Sequence, residues 1–322
     1  MRRTSRLVLL AVTALALAPG TFVRETPPKP DFVSPVTITK LQTRPWRTGP
    51  LTLESAWVLT SENDHFGGYS ALLEQEGGWF LAASDAGRLM HLRRPDRGGP
   101  PPRLDRFLDN GRIDKRRTDI ESMTADPQTG IIWAGLEQFN AIYRFSGNLE
   151  KQREVRPAAM RDWAPNSGAE AFLRLADGRF LVLAEESLGG GLHEGLLFDR
   201  DPTLGGKPLR FRFRGAKGFN PADAILVPDG RMLVVLRKVV LGWPLRFAVR
   251  LVTAAPAKIK AGEVLESEKL ADIVEPLPTD NYEGAAVTVE PNGDWSVWLM
   301  SDDNFAHFQR TLLLKLNWPQ TR

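Results

Sequence analysis

The sequence predicts an all-β protein, a β-propeller in which five blades can be counted. Five similar segments recur along the 322-residue chain, roughly every 50 to 60 residues, and this spacing is typical of propeller blades. Each segment is followed by a turn and a β-rich run, without the 3.6-residue periodicity that a helical repeat would show. The segments are GYSALL at 68–73, DIESMT at 119–124, GAEAFL at 168–173, PADAIL at 221–226 and NYEGAA at 281–286.

Each repeat supplies three or four strands. The repeated segment is the first strand, and a turn such as Asp177-Gly178 leads to the second, since such pairs between apolar runs favour hairpins. The second strands are WFLAASD, IIWAGLE, RFLVLAEE, RMLVVLR and WSVWLMSDD. Strands at 36–41 and 51–59 precede the first repeat and can complete the last blade, which would close the ring. A sixth blade, within 220–280 or built from the N-terminal strands, is left open.

The N-terminal segment 1–18 has the three parts of a secretory signal peptide. A basic start precedes an apolar run from Leu7 to Leu17, and Ala16-Leu17-Ala18 forms a small-x-small cleavage site. We expect Sec-type export with cleavage near Ala18, and a periplasmic or secreted protein. The apolar run is shorter than the roughly 20 residues of a membrane span, so no membrane span is predicted. A proline-rich tether follows at 19–35, and 36–318 is predicted to fold as one domain.

Composition narrows the classes of function. The chain is 42% hydrophobic and 25% charged, as in globular proteins, and its lack of cysteine excludes disulfides, thiolate zinc sites and a cysteine nucleophile. The net charge of +3 is accounted for by Arg2, Arg3 and Arg6, so the remaining chain has no bulk charge that would attract nucleic acid. The motifs G-x-S-x-G, H-E-x-x-H and the P-loop are absent. The sequence leaves the oligomeric state open.

Acidic residues recur at two places in the repeats. The third positions of the repeated segments are Ser70, Glu121, Glu170, Asp223 and Glu283. The ends of the second strands carry Asp85, Glu137, Glu185 and Asp302, with Arg237 in the fourth repeat. In a propeller the first strand lines the channel and the second runs antiparallel beside it, so both sets are expected at one mouth of the channel. Asp119, Glu186 and Asp303 are close enough in sequence to join them.

Such crowding needs compensation, because neighbouring carboxylates repel each other and some would be forced to take up protons. A bound cation is one remedy, and oxygen ligands without cysteine suit calcium better than magnesium. The predicted metal ligands are Asp85, Glu121, Glu137, Glu170, Glu185, Glu283 and Asp302. Two alternatives are open: the acids accept hydrogen bonds from backbone N–H groups and tie blades together, or Arg237 and its neighbours neutralise them in a web of ion pairs.

Two histidines lie in similar contexts near the rim of the first and last repeats. His65 is in NDHF and His307 is in NFAHF. They could act as an acid–base pair at a substrate, or they could hydrogen-bond a loop.

Four segments together resemble the phytase-like domain family, also described as "esterase-like activity of phytase". They are DIESMTADPQTGIIWAGLE, NSGAEAF at 166–172, DNYEGAAV at 280–287 and SDDNFAHFQRTLLL at 301–314, and the resemblance spans most of 51–316. It implies a β-propeller of exported bacterial proteins with a hydrolytic site built from repeated acids. The positions that it implies are Glu121, Glu170 and Glu283, with Asp302. A matched set of phosphate-binding Lys and Arg residues is not seen.

Two functions follow as hypotheses. The first is an exported, calcium-dependent hydrolase of phosphate esters or related esters, with Glu121, Glu170, Glu283, His65 and His307 as catalytic candidates and an anionic or ester-containing small molecule as substrate. The second is a non-enzymatic periplasmic propeller that binds a protein or glycan, with structural acids or a structural calcium ion.

Overall fold

The structure, a computed structural model, describes residues 3–22, 29–108, 117–164, 168–242 and 246–320. Parts of the predicted signal peptide and tether, 1–2 and 23–28, lie outside the described residues, as do Asn166 and Ser167 of the third repeat. The chain divides into two compact units, Met1–Phe32 and Val33–Arg322.

In the first unit, the described residues include the helix α1 (Arg3–Phe22), which covers the apolar run of the N-terminal segment. Among the described residues, no helix combines the length and the apolar character that a membrane span requires.

The second unit is built from strands. Three precede the first repeat: β1 (Thr37–Lys40), β2 (Trp46–Thr48) and β3 (Leu51–Thr60). The first blade comprises β4 (Tyr69–Gln75), β5 (Trp79–Ser84), β6 (Arg88–Arg93) and β7 (Arg103–Arg106). The second comprises β8 (Ile120–Ala125), β9 (Ile132–Leu136), β10 (Ala141–Phe145) and β11 (Lys151–Val155).

The remaining blades follow the same order. The third comprises β12 (Ala169–Arg174), β13 (Phe180–Gly189), β14 (Leu192–Phe198) and β15 (Leu209–Arg214). The fourth begins with β16 (Asn220–Leu226), β17 (Met232–Val240) and β18 (Arg246–Ala254). Next, β19 (Val264–Glu266) adds in parallel to β15, and β20 (Glu268–Ile273) completes the fourth blade. The fifth has β21 (Asn281–Val289), β22 (Trp295–Asp302) and β23 (Thr311–Trp318).

The ring is closed by the N-terminal strands, as the sequence predicted. Strand β3 pairs antiparallel with β23, from Leu59↔Thr311 to Thr52↔Asn317, and both β1 and β2 pair with β3. The fifth blade therefore joins the two ends of the unit. Within the described residues the strands form five sheets, which confirms the five-bladed propeller, and the region 220–280 supplies the fourth blade and β19 rather than a sixth blade.

Hydrophobic clusters fill the spaces between consecutive blades. Each of the five clusters found in the described residues combines side chains from two neighbouring blades, and the fifth blade packs on both the fourth and the first. The middle strands are consequently buried on both faces, and all eight residues of β22 are buried. The outer strands are polar: four of the five residues of β11 are exposed. Closely packed blades hold the inner strands, and hence the mouth of the channel, in fixed positions.

We predict that Trp298→Ala destabilises the propeller by about 3 to 5 kcal/mol, because it removes a large buried side chain between the fifth and first blades. The indole stacks on Trp57 with ring centroids 5.9 Å apart, meets the Phe80 ring edge-on at 5.1 Å, and donates to Thr288 Oγ1 at 3.0 Å. Urea unfolding followed by circular dichroism measures the change. Trp46→Ala, at a half-exposed tryptophan, is the control and should change stability by less than about 0.5 kcal/mol. Equal effects of the two substitutions would contradict this account.

Candidate functional site

Each of the five inner strands carries a β-bulge near its start, and the bulge decides where the repeated acid points. In β8, β12 and β21 the residue left without a partner in the strand register is Glu121, Glu170 and Glu283, respectively. In β4 it is Ser70. A bulge inserts one extra residue and re-aims its side chain. Three of the five blades thus direct a glutamate out of the regular alternation at the same end of the inner strand.

The fourth blade does not place its acid as the alignment of the five repeated segments predicts. Its bulge falls on Ala222, so Asp223 stays in register and pairs with Val235. The Asp223 carboxylate accepts hydrogen bonds of 2.7 Å from the N–H groups of Ala224 and Ala285. Ala285 belongs to the fifth blade, so Asp223 ties two inner strands together, as one of the alternative interpretations proposes for the acids in general.

Asp119, Glu121 and Glu137 form the first group of carboxylates in the second blade. Their oxygen atoms lie within 4.8 Å of one another. Asp119 immediately precedes β8 and Glu137 immediately follows β9, and the Glu137 N–H donates to the Asp119 carbonyl at 3.2 Å. Asp119 and Glu137 are buried, and Glu121 is mostly buried but keeps part of its surface exposed.

Glu137 also belongs to a second group, with Glu170 and Glu185 of the third blade, whose oxygen atoms again lie within 4.8 Å of one another. Gly168 makes this approach between blades possible. A Cβ atom at Gly168 would lie 2.8 Å from the Glu137 Cα and carbonyl oxygen, closer than real Cβ contacts allow. Glu137 is thus common to both groups, and the second group spans two blades.

Arg237 of the fourth blade neutralises part of this negative charge. Its NH2 group pairs with Glu185 at 3.0 Å, and its NH1 group pairs with Glu283 and donates to Asn281 Oδ1 at 3.0 Å. Asn281 donates in turn to Glu283 at 2.9 Å. The web of ion pairs considered from the sequence therefore accounts for Glu185 and Glu283. The described ion pairs of Arg237 do not extend to the first group.

Burial and mutual repulsion raise the pKa values of the remaining glutamates. Burial is the main cause that places the pKa of Glu121 well above its usual range, and the charges of Glu170, Glu283, Asp119 and Glu137 add to it. The pKa of Glu170 is likewise raised by burial and then by Glu185, against the opposing effect of Arg237. Burial raises the pKa of Glu137 to about 7. These carboxylates are therefore poorly compensated when all of them are ionised.

Asp85, Glu283 and Asp302, three of the predicted metal ligands, lie outside both groups of three. Asp302 is buried, and its pKa is raised well above the usual range by burial and then by the charges of Glu283, Asp85 and Asp303. Its carboxylate accepts a hydrogen bond of 2.7 Å from the Asn304 N–H. Asp119 belongs to the first group, although the sequence marks it only as a neighbour of the repeated acids.

The two rim histidines are placed differently. His65 is partly buried on the loop after β3, where its N–H donates to Asn63 Oδ1 at 2.9 Å. His307 is exposed and lines a cavity beside the loop that follows β22. Among the described residues, the carboxylate groups close enough to share a cation include neither histidine.

The residues present fit a hard cation. Calcium binds oxygen ligands at about 2.3 to 2.6 Å, so two oxygens on one ion lie at most about 5 Å apart, and both groups meet this limit. A divalent cation would also offset the repulsion that raises the pKa values. The structure therefore places Glu121, Glu137, Glu170 and Glu185, with Asp119, where one or two cations can be held.

Comparison with known proteins identifies a family. The family model described as "Phytase-like: Esterase-like activity of phytase" matches residues 64–305, well over half of the chain. No curated protein matches the sequence. Similar solved structures include Kuenenia stuttgartiensis hydrazine synthase, with 12% identity and a TM-score of 0.42 over 88% of this chain and 80% of that one. A luciferin-regenerating enzyme has 12% identity and a TM-score of 0.44 over 87% and 95% of the two chains, and the WD40 propeller domain of Doa1 has 13% and 0.40 over 84% and 76%.

We predict that the unfolding free energy of the protein in EDTA falls as the pH rises from about 4.5 to about 7. Folding raises the pKa of Glu137 from 4.5 to about 7, so its stabilising contribution is complete below 4.5 and is lost as the pH passes the folded value. For Glu137 alone, the expected fall in unfolding free energy is about 3 kcal/mol. Urea unfolding across this pH range measures the slope.

The comparison with Glu137→Gln makes this test specific, because buried His193 has a lowered pKa and contributes a slope of opposite sign in both proteins. Glu137→Gln should make the fall in unfolding free energy with pH smaller, whereas Glu150→Gln, at an exposed position in the same blade, should leave it unchanged. Identical slopes for wild type and Glu137→Gln would contradict the assignment of the repulsion to Glu137.

Proposed function

Because the chain belongs to the phytase-like family, described by the esterase-like activity of phytase, we propose that it is a metal-dependent hydrolase of phosphate esters or related esters. We propose calcium as its cation and the acidic mouth of the channel as its active site. The observation that carries this proposal is the pair of carboxylate groups that share Glu137, which are largely buried and, within the part of the chain that the structure describes, only partly neutralised by Arg237.

Export is part of the same proposal. Segment 1–18 has the composition of a signal peptide, and we infer that the folded domain acts in the periplasm or outside the cell. An anionic or ester-containing small molecule is the proposed substrate.

The roles of the side chains follow from their exposure and charge. Asp119, Glu137, Glu170 and the partly exposed Glu185 would hold the cation, since neighbouring carboxylates that are largely shielded from water are stable as anions only beside positive charge. A calcium ion at this position would polarise the phosphoryl or carbonyl oxygen and acidify water. The positive charge of that cation would lower the raised pKa of Glu121, the partly exposed member of the first group, so that Glu121 would be ionised and would accept the proton of the attacking water.

The leaving alcohol needs a proton when its bond to phosphorus or to the acyl carbon breaks. A carboxyl with a raised pKa keeps its proton near neutral pH and can donate it. Asp302 has this environment, and His307, which lines the adjacent cavity, is the second candidate. After the reaction Glu121 carries the proton of the attacking water and Asp302 has given its proton to the alcohol. Glu121 then releases a proton to solvent and Asp302 takes one up, which restores both groups. Glu283, held by Arg237 and Asn281, would position its neighbours.

A binding propeller with a structural calcium ion is the second candidate, and one observation favours it. The second carboxylate group joins Glu137 of the second blade to Glu170 and Glu185 of the third, so a cation there would clamp two blades together. The two functions use the same ion and differ in turnover.

We predict calcium-dependent release of phosphate from phenyl phosphate or of acetate from phenyl acetate, and a loss of kcat of about a hundredfold or more in Glu121→Gln, because the base that activates water is removed. Steady-state assays in calcium and in EDTA measure both effects, with Glu150→Gln as the matched control. Thermal unfolding verifies that each variant is folded. Turnover that is unchanged when EDTA replaces calcium, or that Glu121→Gln retains at the wild-type rate, would contradict the mechanism. Calcium binding without turnover of either substrate class would favour the binding propeller.

A further inference from the structure

A cavity of about 760 Å³ lies on the fifth blade, at the end of the propeller where β22 finishes with Asp302. It is formed between the end of β3 with the loop that follows it and the loop between β22 and β23. Its lining includes Asp64, Asp303, Phe305, His307 and Arg310. A cavity of this size accommodates an organic molecule of the size of a typical enzyme substrate.

Phe305 connects this cavity to Asp85, one of the acids at the ends of the second strands. Its side chain lines the cavity, and its ring also lies against Gly67 and Gly68. A Cβ at Gly68 would lie 2.6 Å from the ring and would also be too close to Asp85 Oδ1. Glycine is therefore required there for the ring to sit next to Asp85, whose charge acts on Asp302.

The ring is held in place although it is exposed. Asp303 Oδ1 accepts from the Phe305 N–H at 3.1 Å and from the Gly68 N–H at 2.9 Å, which joins the two loops. Asn304 and Phe305 have φ values of 48° and 50°, in the left-handed region that phenylalanine rarely adopts. Half of the Phe305 side chain nevertheless faces solvent. A fixed aromatic face beside a polar cavity is a common feature of sites that bind rings.

The charges of the cavity indicate which rings fit. Glu62, Asp64 and Asp303 line it together with Arg310, and Arg310 already faces Asp280 at 3.6 Å. A second or third phosphate group on the substrate would therefore meet carboxylates rather than a set of free cations. An uncharged ring meets no such opposition.

We propose that this cavity binds the alcohol part of the substrate, and that Phe305 stacks on an uncharged ring in it. This inference rests on the proposed hydrolase for the bond that is broken, and it specifies the substrate class as monoesters of ring-containing alcohols rather than cyclitol polyphosphates. Phe305 is a specificity-determining residue in this account, and His307 lies beside the bound alcohol.

The test separates the cavity from the chemistry by using the alcohol alone. Calorimetric titration of the full chain with 2-naphthol should show saturable binding that Phe305→Ala weakens by about tenfold or more. Phe305→Tyr retains an aromatic face and should restore the affinity. Phe308→Ala removes a more exposed phenylalanine of the same loop, outside the cavity lining, and should leave it unchanged. With turnover, Phe305→Ala should raise KM for 2-naphthyl phosphate relative to methyl phosphate and change kcat little.

The outcomes distinguish this inference from the proposed function. Binding of 2-naphthol that depends on Phe305, without hydrolysis of 2-naphthyl phosphate, would support the cavity and overturn the hydrolase. Hydrolysis with an unchanged ratio of KM values in a folded Phe305→Ala variant would overturn the cavity and leave the hydrolase standing. Absence of 2-naphthol binding to the wild-type protein would also overturn the cavity.

Discussion

Repulsion among carboxylates that lie close together near the starts of the inner strands is the constraint on which the candidate site depends. Five inner strands start around the mouth of the channel, and bulges direct glutamates of three of them out of the regular alternation. Arg237 forms ion pairs with Glu185 and Glu283. The glutamates on the side of the second and third blades keep raised pKa values, with Glu137 at about 7. The positive charge that the described residues supply leaves these glutamates to be compensated by protons or by a cation, and a carboxyl with a pKa of about 7, such as Glu137, is only partly protonated at neutral pH.

The propeller makes this arrangement mechanically possible. Hydrophobic clusters fill the space between consecutive blades, and β3 closes the ring on β23, so an inner strand cannot move outward to relieve the repulsion without disturbing two cores. Gly168 lets the third blade lie directly against Glu137. The stability of the interblade cores thus holds the acids together, as is usual for functional sites whose local strain is compensated by the surrounding fold.

The repeats predicted the fold and most of the acids because both follow from spacing. Alternating strands and turns every 50 to 60 residues, roughly, define blades, and antiparallel pairing brings the strand ends to one mouth. Register within a strand is not visible in spacing: the bulge on Ala222 instead of Asp223 moves one carboxylate from the mouth to the neighbouring blade. Asp119 joins the first group because Glu121 bulges beside it, and Phe305 reaches Gly68 through a loop whose backbone conformation the residue types do not favour. Such positions depend on tertiary contacts rather than on local pattern.

Thermal unfolding in EDTA, followed by a calcium titration, tests the central claim most directly, with wild type, Glu137→Gln and Glu150→Gln compared at neutral pH. A ligand that binds the folded state alone stabilises it by about 2.7 kcal/mol at a hundredfold excess over its dissociation constant. A saturable rise in melting temperature in wild type and Glu150→Gln, reduced or lost in Glu137→Gln, is the result that this account predicts. A melting temperature insensitive to calcium, magnesium and manganese, or a rise that Glu137→Gln retains in full, would contradict it.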